Sequence, residues 1–474
     1  MTILQALLKM QARIVNNETH QDYKRVCELA ELYKVLISGE NQDELLQKAF
    51  GHILPDELKR IKAIYQPATP AITNSLKSAF KKVFRTEPAL KQIDFEGKDI
   101  DGKKLSKLTK VTDAYHANMS VEDYLQKRVH DLSFSNPNAF IVNEFADFDA
   151  NVTTAKPYPW EVLEEMAVNY GYINGVLDFL LTEYDITYTD SQGKQQKGKK
   201  LTIYLDNDGI TFTQVDAGGA TANEAKFEGD VNRPDSFVYK DKKFAIGYFE
   251  HKTGAVPAQA IGYMPDETTN GRTYVNPFHY GALYSLLGSI KTKAELDITM
   301  SKHAFPQKMV YVDRCSFDDT SGKCQTSGQL PKDCKKCGGS GLKTHESSKD
   351  IQMFERPRNK EDLLPLDSLM HYAYPPIDGI KTQMEYIDAE TEKCYKGVFN
   401  SDVFNKAAIS QTATEKSLEY ENIYDVLAPY ADKMADLYMG IIRFIGKTLD
   451  ISDLIVKLKY PSDFKLKGVT DLLT

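Results

Sequence analysis

The chain has 474 residues, which is too long for one compact core and predicts roughly two to four domains or one elongated subunit of several parts. Its apolar fraction of 42% and charged fraction of 27% are ordinary for a folded protein. The net charge of −8 argues against a protein that coats nucleic acid, because such proteins are normally basic, but it does not exclude DNA that passes without being held.

The N-terminal sequence MTILQALLKMQARIVNNETH has the pattern of an amphipathic helix. It lacks a continuous apolar stretch and a small-residue cleavage site, so we expect no signal peptide. No run of about 18 uninterrupted apolar residues occurs, so the sequence predicts no membrane span. These expectations favour the cytosol, where thiols stay reduced.

Residues 1–129 are interpreted as an N-terminal helical arm. Leu and Ala recur at three- and four-residue spacing in DYKRVCELAELYKVL, DELLQKAFGHIL and AITNSLKSAFKKVF. We assign no chemistry to this arm.

Residues 130–275 are predicted to form a strand-rich lobe, because apolar and polar side chains alternate with period two. In KKLTIYLDNDGITFTQVD we place the hairpin turn at Asn207–Gly209, since Asp-Gly tolerates the positive φ that tight hairpins need. In DSFVYKDKKFAIGYFEH the turn is predicted at Lys-Asp-Lys. The polar, basic stretch DSQGKQQKGKK is predicted to be a loop.

Residues 276–305 return to a helical pattern with one apolar face, with Pro277 near the start and Pro306 at the end. That face is predicted to contain Leu283, Leu286, Leu287, Ile290 and Ala294. Residues 306–374 follow as a small knob, in which the candidate strands KMVYVDR and DIQMFERP bracket a polar segment rich in cysteine.

Residues 375–398 predict a second long helix with apolar side chains at near-heptad spacing. Such a narrow seam is suited to packing along another helix. The seam residues are Ile377, Ile380, Met384 and Ile387. A polar loop over 399–416 comes next, and residues 417–474 begin with a very long helix, in which Pro429 predicts a kink, and continue with the candidate strand LIVKLKYPSDFKL.

Four cysteines share one window with the spacing C-x8-C-x9-C-x2-C, namely Cys315, Cys324, Cys334 and Cys337. The sequence CKKCGGSG favours a zinc knuckle, because its glycines let the backbone turn and point N–H groups at sulfur. We therefore predict a structural Zn²⁺ site, closed to catalysis by four thiolates. His345 as a substitute ligand, disulfides, and plain reduced thiols are the alternatives, whereas Cys27 and Cys394 are expected to be packed.

The sequence contains none of the P-loop, G-x-S-x-G or H-E-x-x-H motifs, so we expect no enzyme. The acidic stretch EFADFDAN suggests a competing hypothesis, a nuclease that binds two metal ions through Asp147 and Asp149. Acidic loops of this kind are more often simply solvated.

The order of these elements resembles that of the portal proteins of tailed bacteriophages. The resemblance is carried by SNPNAFIVNEF and KPYPW, by residues 261–315 and by residues 375–424, and it spans about residues 130–460. It implies an elongated α+β subunit: a wing at 130–275, stem helices at 276–305 and 375–398, a clip at 306–374, a tunnel loop at 399–416 and a long kinked helix after it.

The resemblance also implies a function without enzymatic activity. Portal subunits form a ring of about twelve copies at one capsid vertex, through which double-stranded DNA is packaged and ejected. The implied partners are the major capsid protein, the terminase motor and a head–tail adaptor, and the implied location is the virion, with the host cytoplasm during assembly. The tunnel-loop residues implied to face DNA are Asn400, Ser401, Asn405 and Lys406.

Two features depart from the portal pattern. The cysteine knob is an addition to the clip, and the chain ends where a crown helix would normally follow. The alternative function is a zinc-stabilised adaptor or chaperone-like binding module, because CKKCGGSG resembles one repeat of a DnaJ-type zinc domain. That domain uses several repeats in tandem, whereas this sequence has one.

Overall fold

The computed structural model describes residues 1–51, 55–97, 102–145, 157–217, 222–251, 253–303, 308–312, 351–355, 377–401 and 413–461. The chain divides into two compact units. Unit 1 comprises Met1–Gln42, Thr69–Tyr284 and Glu392–Thr474, and unit 2 comprises Asp43–Ala68 and Ser285–Thr391. Each unit mixes helices with strands, which agrees with the predicted α+β class.

The N-terminal part is largely helical, as predicted. Its helices are α1 (Ile3–Asn16), α2 (Tyr23–Ser38), α3 (Asp43–Phe50), α4 (Pro55–Ile64), α5 (Thr69–Phe80), α6 (Lys82–Arg85), α7 (Lys103–Thr112), α8 (Val121–Tyr124) and α9 (His130–Ser135), with a π-helical turn at Leu125–Val129. One strand, β1 (Leu90–Phe95), was missed by the sequence analysis.

Residues 130–275, which were predicted to form a strand-rich lobe, contain a run of strands and belong to unit 1. These are β2 (Phe140–Phe145), β3 (Pro157–Val162), β4 (Asn169–Ile173), β5 (Val176–Thr189), β6 (Gln195–Tyr204), β7 (Asp208–Val215), β8 (Ala222–Gly229), β9 (Pro234–Lys240), β10 (Lys242–Glu250), β11 (Ala258–Ala260), β12 (Met264–Pro265) and β13 (Tyr274–Val275).

The C-terminal part contains the longest helices. Its elements are α10 (His279–His303), β14 (Lys308–Val312), β15 (Ile351–Glu355), α11 (Ile377–Phe399), α12 (Ala413–Thr448) and β16 (Leu454–Lys459). Helices and strands occur where they were predicted, and α12 continues through Pro429 as one helix. Two bounds differ: α12 begins at Ala413, inside the polar loop predicted over 399–416, and β16 covers only the first part of the candidate strand LIVKLKYPSDFKL. Strands β14 and β15 pair in parallel, with Lys308 opposite Ile351, and β16 pairs antiparallel with β1.

A seven-stranded antiparallel sheet is the largest feature of unit 1, in the order β4-β5-β6-β7-β10-β9-β8. One face is buried against α1 through Ala6, Leu7 and Met10, since alternate strand residues are apolar. The ion pair between Arg13 Nε and a Glu183 carboxylate oxygen, 2.6 Å apart and almost buried, joins α1 to β5.

Two turns in this sheet differ from the prediction. The β6–β7 hairpin exists, but Gly209 lies inside β7 rather than at a positive-φ turn position. It faces Phe249 across the pair, and a side chain at Gly209 would overlap the Phe249 ring. The predicted loop DSQGKQQKGKK is mostly β6, which starts at Gln195, because its polar residues pair with the alternating end of β5.

The turn predicted at Lys-Asp-Lys is confirmed. Strand β9 ends at Lys240, β10 starts at Lys242, and Lys240 has a φ of 53°. That left-handed conformation is the one a tight hairpin requires.

Glu164 holds the SNPN segment that precedes β2. Its side chain is buried and accepts hydrogen bonds from Asn136 Nδ2 at 2.6 Å and from the Asn138 backbone N–H at 2.9 Å. The Asn138 side chain in turn forms two hydrogen bonds with the Tyr274 backbone: its Nδ2 donates to the carbonyl oxygen, and its Oδ1 accepts from the N–H. Burial raises the pKa of Glu164 to about 7, although these hydrogen bonds oppose the shift.

The pH dependence of unfolding tests this arrangement. Folding raises the pKa of Glu164 from 4.5 to about 7. The folded chain therefore binds more protons than the unfolded chain between these values, and this contribution to stability is lost as the pH rises through the window. Glu164→Gln removes the titration, so the melting temperature of the variant minus that of the wild type should increase between about pH 5 and 7.

Differential scanning fluorimetry across this range makes the measurement, with Glu165→Gln as the matched control. The Glu165 side chain is half exposed, 3.8 Å from Lys34 Nζ. A difference between Glu164→Gln and wild type that stays constant with pH would contradict the buried, proton-linked role of Glu164.

Candidate oligomer interface and channel residues

Helix α10 starts from a closely bonded segment of unit 1. Asn276 is fully buried; its Oδ1 accepts the Phe278 N–H at 2.9 Å, and its Nδ2 donates to the Phe134 carbonyl oxygen. The Tyr33 hydroxyl lies 2.6 Å from His279 Nδ1, and burial lowers the pKa of His279, which favours the neutral ring as the acceptor. The first turn of the helix is therefore fixed in orientation.

The apolar face predicted for α10 is largely confirmed. Leu283, Leu286, Ile290 and Ala294 are buried, and Leu287 is partly buried.

Gly281 of α10 and Gly397 of α11 meet backbone to backbone within unit 1. A side chain on either glycine would overlap main-chain atoms of the other. Cys394 Sγ lies nearby, fully buried and 3.8 Å from the Ala282 carbonyl oxygen, which agrees with its predicted packed state. The two long helices thus approach as closely as only glycine allows.

Alanine substitutions test this contact. In Gly281→Ala the new Cβ overlaps the Gly397 backbone, which cannot move aside like a flexible side chain. We expect a loss of about 3 kcal/mol or more in the free energy of unfolding, measured by chemical denaturation. Gly288 is the matched control on the same helix, because an added Cβ there meets only Glu390 Oε2 at 3.9 Å and the Tyr386 hydroxyl at 4.0 Å.

Gly288→Ala should be neutral or stabilise the chain by up to about 1 kcal/mol, the difference in helix propensity between the two residues. If both variants were equally stable, the close approach at Gly281 would be wrong.

The end of α11 leads into the predicted tunnel loop. Asn400 has a φ of 47°, donates its N–H to the Lys396 carbonyl oxygen at 2.8 Å, and is exposed. It closes the helix in the left-handed conformation that Asn accepts readily. The next residue, Ser401, is only 3% exposed, so in this conformation its side chain packs inside unit 1.

The predicted seam on α11 is only partly covered within unit 2. Met384 is 52% exposed, and Ile380 and Ile387 are partly buried. Their spacing places them on one face of the helix. Tyr386 on the same helix is 45% exposed. The side chain of Ile377 lies outside the described residues.

Helix α10 carries exposed apolar side chains that the sequence analysis did not single out. Tyr284, in its unit 1 portion, is 84% exposed, and Tyr280 is 44% exposed. Met300, in its unit 2 portion, is 43% exposed. The signal was present in the sequence, since Tyr280 and Tyr284 are four residues apart and therefore lie on one side of the helix.

Several predicted site residues lie outside the described residues. They are Cys315, Cys324, Cys334, Cys337, Asn405, Lys406, Asp147 and Asp149. Among the residues that are described, no group of three or more His, Cys, Asp or Glu side chains is arranged to hold a metal ion. In the same part of the chain, no helix is both long and apolar enough to cross a membrane.

No protein-family model matches the sequence, and a search of curated proteins finds no match. The interpretation of function therefore depends on the residues of this chain and on the order of its elements.

Proposed function

We propose that the chain is a portal subunit, which assembles into a ring and forms the conduit for double-stranded DNA at one vertex of a phage capsid. The observation that carries the proposal is the succession of α10, the β14–β15 pair, α11, a polar connection and the 36-residue helix α12. This is the order of stem, clip, stem, tunnel loop and long helix that the resemblance implies.

The exposed side chains of α10 and α11 support assembly into a ring. A monomer gains nothing from exposing Met384, Tyr386 and Tyr284, whereas a neighbouring subunit would remove their apolar surface from water. A ring uses two different surfaces of each subunit, one for each neighbour. In the proposed ring, the seam of α11 supplies one surface and the exposed residues of α10 supply the other.

The charge of the chain supports a conduit rather than a DNA-holding protein. Each Lys or Arg that binds a phosphate releases counterions and adds affinity, which would slow DNA that has to slide. A chain of net charge −8 limits such contacts. Under this proposal the terminase motor supplies the energy, and the ring hydrolyses nothing.

Mass photometry of the purified chain tests the ring, in which about twelve copies are expected. Met384→Lys places a charge in the seam and should weaken each subunit contact by on the order of 2 kcal/mol, so that rings give way to smaller species. Val231→Lys is the control, because Val231 is 90% exposed in the connection between β8 and β9. Its rings should persist.

A wild-type chain that remains monomeric at high micromolar concentration would contradict the proposal. A monomer that binds unfolded proteins would instead favour the adaptor or chaperone-like module. Magnesium-dependent DNA cleavage that is lost on substitution of Asp147 and Asp149 would favour the nuclease.

We further propose that Cys315, Cys324, Cys334 and Cys337 hold one structural zinc ion in the clip. Elemental analysis should find about one zinc per chain, because four thiolates complete a tetrahedral site. Cys334→Ser should lower the zinc content at least tenfold while the ring persists, since the clip is not the ring contact. Cys27→Ser should keep the metal. Wild-type protein purified without added chelator and free of zinc would overturn this assignment.

A further inference from the structure

A cavity of about 290 Å³ lies in unit 1, at the C-terminal end of α12. Its walls come from the start of β5, from residues 253–259 and from the last turns of α12. None of the residues that line it belongs to the surfaces assigned above to the ring or to the clip. Two cations, Arg443 and Lys447, line it, and no acidic side chain of the described residues does.

Neither cation forms an ion pair with a carboxylate of the described residues. Arg443 Nη2 donates to the Val456 carbonyl oxygen at 3.2 Å, and Lys447 Nζ donates to the Thr253 carbonyl oxygen. Within the part of the chain that the structure describes, these are their only polar partners. Each head group is thus held in position by a backbone oxygen while most of its N–H donors remain available.

The C-terminal end of a helix carries partial negative charge, which by itself favours nearby cations. A second observation is therefore needed to indicate a ligand. Asn143 supplies it. This residue is 2% exposed and lines the cavity, and its Oδ1 accepts the Tyr115 hydroxyl. Its Nδ2 has no hydrogen-bond partner among the described residues, so this nearly buried side chain contributes a donor to the wall of the cavity.

Gln259 adds an amide to the same wall. Its side chain lies directly against Gly440, where any larger residue would overlap it. The amides and the two cations together offer a surplus of N–H donors and few acceptors. Such a set suits an anion and disfavours a metal ion.

The rest of the wall is apolar, formed by Val176, Leu177, Val256, Ala258 and Phe444. The volume of about 290 Å³ lies at the small end of ligand sites in proteins. An inorganic anion would leave the apolar wall uncovered. We propose that the cavity binds a small carboxylate that carries an apolar group, with the carboxylate at Arg443 and Lys447.

Isothermal titration calorimetry of the full chain with sodium hexanoate tests this site. Inorganic phosphate and 1-hexanol are the comparison ligands, at matched ionic strength. We expect hexanoate to bind at least tenfold more tightly than either one. Arg443→Gln and Lys447→Gln should each weaken hexanoate binding at least tenfold, whereas Lys242→Gln, which changes an exposed lysine of the same unit, should leave it unchanged.

Three outcomes would overturn the proposal. These are an absence of hexanoate binding, equally tight binding of 1-hexanol or phosphate, and unchanged affinity in a folded Arg443→Gln or Lys447→Gln chain. The melting temperature of each variant without ligand shows whether it folds. If both cation variants unfold, Gln259→Leu serves as the test variant, because it removes a hydrogen-bond donor without removing a charge. This variant should also weaken hexanoate binding. Unchanged affinity in this variant would also count against the site.

Discussion

The buried aromatic cluster around Tyr430 is the interaction on which the rest of unit 1 depends. The Tyr430 ring is fully buried in α12 and contacts Phe80 of α5 and Phe134 of α9, while its hydroxyl lies 2.7 Å from His130 Nδ1. Phe80 also contacts Phe399 at the end of α11, and Phe134 stacks on Phe278 just before α10. Segments hundreds of residues apart are thereby fixed to one another. The start of α10, the end of α11 and the middle of α12 therefore share a single core.

This core sets the protonation of the groups it encloses. Burial lowers the pKa of His130 to about 3, so the ring is neutral near pH 7 and can accept a hydrogen bond from the Tyr430 hydroxyl. The stability that this provides is complete above the ordinary His pKa and is lost as the pH falls toward 3. Glu164 has the opposite pH dependence, since its contribution to folding stability is lost as the pH rises. His130 joins α9 to α12 through the Tyr430 hydroxyl, and Glu164 fixes the segment that leads into β2.

The local elements were predictable from the sequence because their signals are local. Period-three-and-four spacing indicated α10, α11 and α12, and alternation indicated most of the sheet. The features that the sequence did not predict depend on contacts between residues far apart in the chain. β1 is defined by its pairing with β16, more than 350 residues later, and Gly209 is explained by the ring of Phe249 rather than by a turn. The contact of Gly281 with Gly397 and the donors around Arg443 likewise arise only when the chain is folded. The cysteine knuckle and the tunnel-loop residues Asn405 and Lys406 remain predictions.

The proposed function joins these features. A shared core fixes the ends of the long helices in unit 1, glycines let α10 and α11 cross closely, and exposed apolar side chains on both helices remain for a neighbouring subunit. The central claim is that such neighbours close a ring around a channel. Cryo-electron microscopy of the purified chain tests it most directly. The account predicts closed rings of about twelve subunits with an open centre. Single subunits, or open filaments without rotational closure, would contradict it.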